Sequence, residues 1–318
     1  MTKTPIAIFV YNRPDHTTRM LASLEACYRL DECQLFIHSD APSIREHAPG
    51  VQAVRTLCKK WAVRHYAEVI EREENLGVDR SIVDAVSEFC KKHGRVIVIE
   101  DDLVLHSAFI HFMLESLNKY QDDERVALVS GYIFPVKPTN TYDTLFLPLT
   151  SPWGWATWER SWQLFDWDAP GALDALLDDD LRRRFDINNA YLYSKLLTKT
   201  LAKKDHRPWD ILFYWAIFSN KKLGVYPSYS LVRNEGFDGS GVHFTEKWAG
   251  YTPLKNGSIE WAADYKFSRP PEVTIDEQTL HNIESFLYSA HHGRLKRIYG
   301  MYINRVKQYL NPQMNLRW

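Results

Sequence analysis

The run Val96-Ile97-Val98-Ile99-Glu100-Asp101-Asp102-Leu103 constrains this chain more than any other stretch. Four aliphatic residues without polar alternation read as a strand buried on both faces, the kind found inside parallel sheets. Open α/β sheets hold their ligands at the C-terminal ends of strands, which is where the three carboxylates fall. Adjacent carboxylates repel one another and are best tolerated beside water or a divalent cation. Hard cations such as Mg²⁺ or Mn²⁺ take oxygen ligands and often bind through one or two carboxylates plus substrate phosphates. Capping of a following helix would also use an acid here, but one would suffice, and the next helix is expected only from Ser107. The segment therefore points to a metal–diphosphate site. Asp102 is the expected direct ligand, and Glu100 and Asp101 are expected to meet the ribose or metal-bound water.

The pattern before and after this run agrees with such a sheet. Residues 5–11 (PIAIFVY) read as a first strand, and Pro14 suits the first turn of a helix running to about Tyr28. QLFIHSD, ending at Asp40, reads as a second strand, followed by a helix over about 50–62 and a third strand in HYAEVIER. Helical spacing recurs in Ile82, Val83, Val86 and Phe89, then again from Ser107 to Tyr120, before a strand at 125–130. Alternating strands and helices of this kind imply an α/β layer with a mainly parallel sheet. After about 135 the texture changes to proline, threonine and tryptophan. An acidic-then-basic helix is expected over Leu173–Phe185, another over about 209–220, and a glycine-rich loop over Gly236–Gly241.

A formal net charge of −1 argues against broad nucleic-acid binding. Cys27, Cys33, Cys58 and Cys90 show no CxxC pairing, which fits a reducing compartment without a disulfide framework. No signal-peptide layout precedes the first strand, and no stretch approaches the ~20 apolar residues that span a bilayer. A cytoplasmic protein is the expectation. From His291 to Leu310, Leu295, Ile298, Tyr299, Tyr302, Val306, Tyr309 and Leu310 fall on one helical face beside five basic residues. Ordinary docking of this helix on the domain is favoured, with peripheral contact to an anionic membrane as the alternative.

Other polar residues cluster at expected strand ends. Asn12 and Arg13 follow the first strand, where arginine can reach a base or phosphate. Asp40 ends the second, where it can accept from a uracil N–H or a ribose hydroxyl, or simply shape a turn before Ala41-Pro42. Four tryptophans stand between 153 and 162. Trp153-Gly154-Trp155 either lines a sugar or acceptor pocket or clamps two subdomains together, and the sequence is compatible with both. Trp209-Asp210 opens an apolar helix. Asp210 is either a helix N-terminal carboxylate, stabilising by roughly 0.3–1 kcal/mol, or a general base for an acceptor hydroxyl that becomes acidic as it attacks.

In this order, these pieces resemble the nucleotide-sugar glycosyltransferases of the GT-A fold. The architecture is most similar to the N-acetylglucosaminyltransferase I family, and also resembles bacterial family-2-like glycosyltransferases. The likeness runs through PIAIFVYNRPDHTTRML, Asn75-Leu76-Gly77, Glu100-Asp101-Asp102, Trp153-Gly154-Trp155, Trp209-Asp210, Tyr226-Pro227 and Gly241-Val242-His243, covering most of residues 5–245. It implies a nucleotide-sugar-binding half over 1–135, an acceptor-binding and catalytic half over 136–270, and a C-terminal helical extension over 271–318. It implies that Asp102 and His243 hold Mn²⁺ or Mg²⁺, and that Asn12, Arg13, Asp40, Asn75, Arg80, Glu100 and Asp101 bind the donor, a UDP-sugar in the family's manner. It further implies that Trp153, Gly154, Trp155 and Trp209 meet the acceptor while Asp210 serves as base of an inverting transfer. The family's Golgi anchor and lumenal cysteine pairs are missing, which points to a bacterial relative acting on cell-surface polysaccharide or a lipid-linked acceptor. Two rivals stand beside this reading. A sugar nucleotidyltransferase would want a glycine-rich phosphate loop after the first strand, and Asn12-Arg13-Pro14-Asp15 has no glycine. A carbohydrate-binding protein would have no need of the acidic strand end.

Overall fold

The computed structural model describes residues 3–137, 139, 141–238 and 262–290. Strands β1 (Thr4–Val10), β2 (Cys33–Ser39), β3 (Glu68–Glu71) and β4 (Arg95–Glu100) alternate with helices α1 (Pro14–Glu25), α2 (Ala48–His65) and α3 (Gly77–His93). The short strand β5 (Leu103–Leu105) and helix α4 (Phe109–Lys119) lead to β6 (Val126–Ser130). Strands β7 (Thr144–Leu147) and β8 (Trp155–Trp158) precede helices α5 (Glu159–Trp162), α6 (Ala172–Ala175), α7 (Asp179–Phe185), α8 (Tyr193–Leu201) and α9 (Trp209–Ser219). Strands β9 (Leu223–Pro227) and β10 (Val232–Asn234) follow, and a helix covers 277–290.

The main sheet has eight strands in the order β3-β2-β1-β4-β8-β6-β9-β7. Strands β8 and β7 pair antiparallel with their neighbours, and the other six share one direction. The expected mainly parallel α/β sheet flanked by helices is present. Beyond β6 the sequence reading gave only helices and loops, yet β7, β8 and β9 complete this same sheet, with β8 lodged between β4 and β6. Thus residues on either side of 135 share one ladder of hydrogen bonds.

Alternation along the strands fills both faces. Ile6, Ile8, Ile97 and Ile99 pack with Met20, Leu24, Trp61 and Phe112 from the α1, α2 and α4 side. Ala7, Phe9, Val96 and Val98 pack on the opposite side with Val86 and Phe89 of α3 and Phe213 of α9. A third cluster joins β7, β9 and α7–α9 with Ile283 and Leu287. The expected single helix over Leu173–Phe185 is two short ones, because the Asp178 carboxylate accepts from the amides of Asp180 (2.8 Å) and Leu181 (3.0 Å) and starts a new helix there. The segment after Asp102 is a short strand, since β5 pairs antiparallel with β10. No helix of the described residues is long and apolar enough to cross a membrane. The basic segment 291–310, with its expected docking or membrane contact, lies outside the described residues.

Candidate active site

Chain order places β2 on one side of β1 and β4 on the other. The chain leaving β1 runs toward β2 and the chain leaving β4 runs the other way, so the C-terminal ends of these two strands form a switch point, the place where open α/β sheets take ligands. Arg13, two residues beyond Asn12's neighbour Tyr11 at the end of β1, reaches across it. Its Nη2 donates to Asp101 and, at 3.0 Å, to Oδ2 of Asp102. The tight turn between β4 and β5 carries both aspartates, and the Tyr11 amide adds a 3.4 Å hydrogen bond to Asp101.

Charge does not balance here. Burial, then Asp102 and Asp101, then Asp210 push the Glu100 carboxyl well above its ordinary range, against the pull of Arg13. Burial also raises Asp101, although Arg13 opposes it. Burial works against the Arg13 charge as well, yet the two aspartates more than compensate and hold it protonated. Three carboxylates, Glu100, Asp101 and Asp102, thus act on one guanidinium.

Asp210 comes from 108 positions further along the chain, and packing explains its arrival. Trp155 on β8 lies opposite Val98 on β4, two residues before Glu100. Its ring stacks on Trp209 with centroids 4.9 Å apart. The first turn of α9 is therefore brought to the end of β4, where the charge of Asp210 acts on both Glu100 and Tyr191.

A loop closes over Asp102. The Glu235 amide donates to the Asp102 carbonyl at 2.8 Å, and a Cβ at Gly236 would stand only 2.4 Å from Asp102 Oδ2. Phe237 in this loop contacts Trp153 with ring centroids 5.4 Å apart, and His16 of α1 faces Asp238 at 3.3 Å. Sequence reading saw a glycine-rich loop but not its target. The partner of Gly236 lies more than a hundred residues away, beyond any local signal.

A divalent cation fits this set in charge and donor type. Asp102 keeps 17 % of its side chain exposed, against 5 % for Asp101. Arg13 engages its Oδ2 and leaves Oδ1 without a hydrogen-bond partner among the described residues. No group of three or more His, Cys, Asp or Glu side chains placed to hold a metal ion is found among the described residues. His243, the expected second ligand, lies outside the described residues.

The structure gives several of the expected site residues partners of their own. Asp40 is spent on its own chain: its carboxylate accepts from the amides of Ala41 (3.0 Å), Leu76 (3.1 Å) and Gly77 (2.9 Å) and from Asn75 Nδ2 (3.2 Å). Its oxygens hold the entry to α3, and Asn75, which also donates to the Ala41 carbonyl at 2.6 Å, is part of that lock. Arg13 faces the acids instead of standing open for a base. Arg80 is on the outer surface, 70 % exposed and 3.6 Å from Asp84. Asn12 is half-buried, and its carbonyl would lie 2.6 Å from a Cβ at Gly50, so glycine lets α2 approach the strand end.

Trp155 and Trp209 are core residues, 1 % and 6 % exposed, and cannot offer a face to an acceptor. As β8 alternates, Trp155 enters the α3–α9 layer, whereas Trp158 enters the opposite layer and donates to the Leu117 carbonyl at 3.1 Å. Trp162 donates to Ser87 Oγ at 2.8 Å. These indoles clamp the layers together. Gly154, at φ +63°, has no room for a side chain against Val232 (2.9 Å) and Phe109 (3.0 Å). Trp153 alone of this segment's tryptophans stays half-exposed, edge-on to Tyr132 at 4.4 Å.

No family model matches this sequence, and a search of curated proteins finds no match. Solved structures do match in part. A mannosyltransferase from Pyrobaculum calidifontis, in complex with GDP-Man and Mn²⁺, is 15 % identical with a TM-score of 0.38, over 68 % of this chain and 69 % of its own. S. aureus TarS 1-349 is 14 % identical with a TM-score of 0.39, over 71 % and 58 %. GalNAc-T7 with UDP, GalNAc and Mn²⁺ is 9 % identical with a TM-score of 0.45, over 71 % and 43 %. The match thus spans about half the length of the latter two chains. No functional conclusion rests on likeness of this degree.

Proposed function

We propose that this chain is a metal-dependent glycosyltransferase. It moves a sugar from a nucleotide-diphosphate sugar to a hydroxyl of a glycan or lipid-linked acceptor, by single displacement with inversion. The observation that supports this reading best is that Asp210 stands near enough for its charge to act on Glu100, the residue that leads into Asp101 and Asp102 at the C-terminal end of β4. In this reading Asp102 is the residue that would hold Mn²⁺ or Mg²⁺, and the bound ion supplies positive charge to offset that on a departing diphosphate. Arg13 pairs with Asp101 and engages one oxygen of Asp102, leaving the other for a ligand. Asp210 takes the proton from the acceptor hydroxyl as it attacks the anomeric carbon. Trp153, half-exposed beside Phe237, offers the apolar face for a sugar ring. A role in bacterial cell-surface polysaccharide synthesis belongs to the same proposal.

A melting-temperature panel with UDP-GlcNAc, UDP-glucose, UDP-GalNAc and GDP-mannose, each with and without Mn²⁺, tests it. A donor that binds only the native state at 100 times its Kd stabilises by about 2.7 kcal/mol. The expected result is a rise that needs both a nucleotide sugar and Mn²⁺, lost in Asp102→Ala, together with slow Mn²⁺-dependent release of nucleoside diphosphate. Release of pyrophosphate from a nucleoside triphosphate, or donor binding indifferent to Mn²⁺, would reject it.

A further inference from the structure

We propose that Asp79 is a positioning residue for Asp210: from the first turn of α3 it pins the N-terminus of α9, and so fixes where the base stands. The inference rests on the glycosyltransferase reading of Asp210. Helix α9 begins with no cap of its own. Pro208 precedes it and provides no side-chain hydrogen bond, yet the first backbone N–H groups of any helix lack intrahelical acceptors. Trp209 is buried, so water is a poor substitute, and buried amides are nearly always paired. The partner is Asp79 Oδ1, which accepts from the Trp209 amide at 3.1 Å from 130 residues away.

Asp79 is itself rigidly mounted. Two residues before it, Gly77 turns at φ +76° and, with Leu76, donates its amide to Asp40. A Cβ at Gly77 would stand 3.8 Å from His206 Nδ1, so the segment entering α9 packs on this same turn. The line Asp40, Leu76–Gly77, Asp79, Trp209 therefore ties the end of β2 to the residue preceding Asp210. The Trp155–Trp209 stack holds the indole of Trp209, but a stack of two flat rings resists sliding weakly. The hydrogen bond from Asp79 fixes the backbone along and around the helix axis. Asp79 touches no reacting group in this scheme and acts through Trp209.

The test measures Mn²⁺-dependent release of UDP from UDP-GlcNAc and of GDP from GDP-mannose, alongside donor-induced melting shifts. Asp79→Ala should lower kcat by roughly 100-fold, the cost of about 1 Å of misplacement, while donor KM and the Mn²⁺-dependent melting shift stay unchanged. Asp79→Asn keeps an Oδ1 acceptor at the same reach and should restore kcat. Asp79→Glu keeps the charge but moves the oxygen by one methylene and should behave like alanine. Wild-type kcat in Asp79→Ala, or equal rates in the Asn and Glu variants, would overturn the assignment. The Asn–Glu pair decides the matter even where the alanine variant fails to fold. Absence of Mn²⁺-dependent binding and turnover in the unmodified protein with all four nucleotide sugars of the melting panel would instead reject the glycosyltransferase reading itself.

Discussion

Replacing His38 with leucine should remove most of one acid-sensitive component of this protein's stability. His38 lies on β2, 5 % exposed, stacked on Phe9 at 5.1 Å and edge-on to Phe89 at 5.7 Å. Neither ring nitrogen finds a hydrogen-bond partner among the described residues. Burial, aided by the charge of Arg72, lowers its pKa from 6.5 to about 4. The folded state thus holds the ring neutral where the unfolded chain binds a proton. Above pH 6.5 no penalty exists; below it the unfolded state gains protons first, and stability falls until the folded ring also titrates near pH 4. At 1.36 kcal/mol per pH unit the full loss is roughly 3.4 kcal/mol, and by pH 4.5 it is about 2.5 kcal/mol. Urea unfolding of both proteins from pH 8 to pH 4.5 measures it. His38→Leu should match or exceed the parent at neutral pH, since two unpaired polar atoms leave the core. It should then lose about 2.5 kcal/mol less on acidification to pH 4.5. Carboxylates titrate equally in both proteins and cancel in the difference. Parallel stability curves would refute the buried neutral imidazole.

Three further outcomes are expected. Asp210→Asn should cut turnover by about 10²–10⁴-fold while leaving Mn²⁺-dependent donor melting shifts intact; unchanged turnover would remove Asp210 from the chemistry. Gly236→Ala drives a methyl toward Asp102 Oδ2 and should weaken Mn²⁺-dependent donor binding by roughly 1–3 kcal/mol, read by titrating the donor with and without the ion. An affinity equal to the parent's would show that the loop yields freely. Trp155→Ala should cost roughly 3–5 kcal/mol of stability without altering donor affinity of the folded fraction; full stability with lost turnover would restore its acceptor role.

The first half of the fold was legible because its signals are local. PIAIFVY and VIVIE are apolar runs long enough to be strands buried on both faces, and the helices between them carry their own periodicity. Strand direction then fixes which end of Ile99 the acids occupy, so Glu100–Asp102 could be located at a ligand edge from sequence alone. Strand β8 was illegible for the converse reason. A four-residue strand in WATW has too few residues to declare a period, and it exists because β4 and β6 present open ladders on either side.

Side-chain fate was likewise decided by partners distant in the chain. Asp40 looked like a nucleoside contact until the amides of Leu76 and Gly77 claimed it. Arg13 looked free until Asp101 and Asp102, 88 and 89 residues on, took its guanidinium. The Trp153–Trp155 segment was compatible with a pocket wall or a clamp, and the stack of Trp155 on Trp209 in the core is what makes these two indoles a clamp. Composition and periodicity fix which surfaces must leave water and where charge accumulates along the chain. Which surface covers which, and which charge answers which, depends on contacts across the whole sheet, and so only the tertiary structure could bring Asp210 to the acidic strand end.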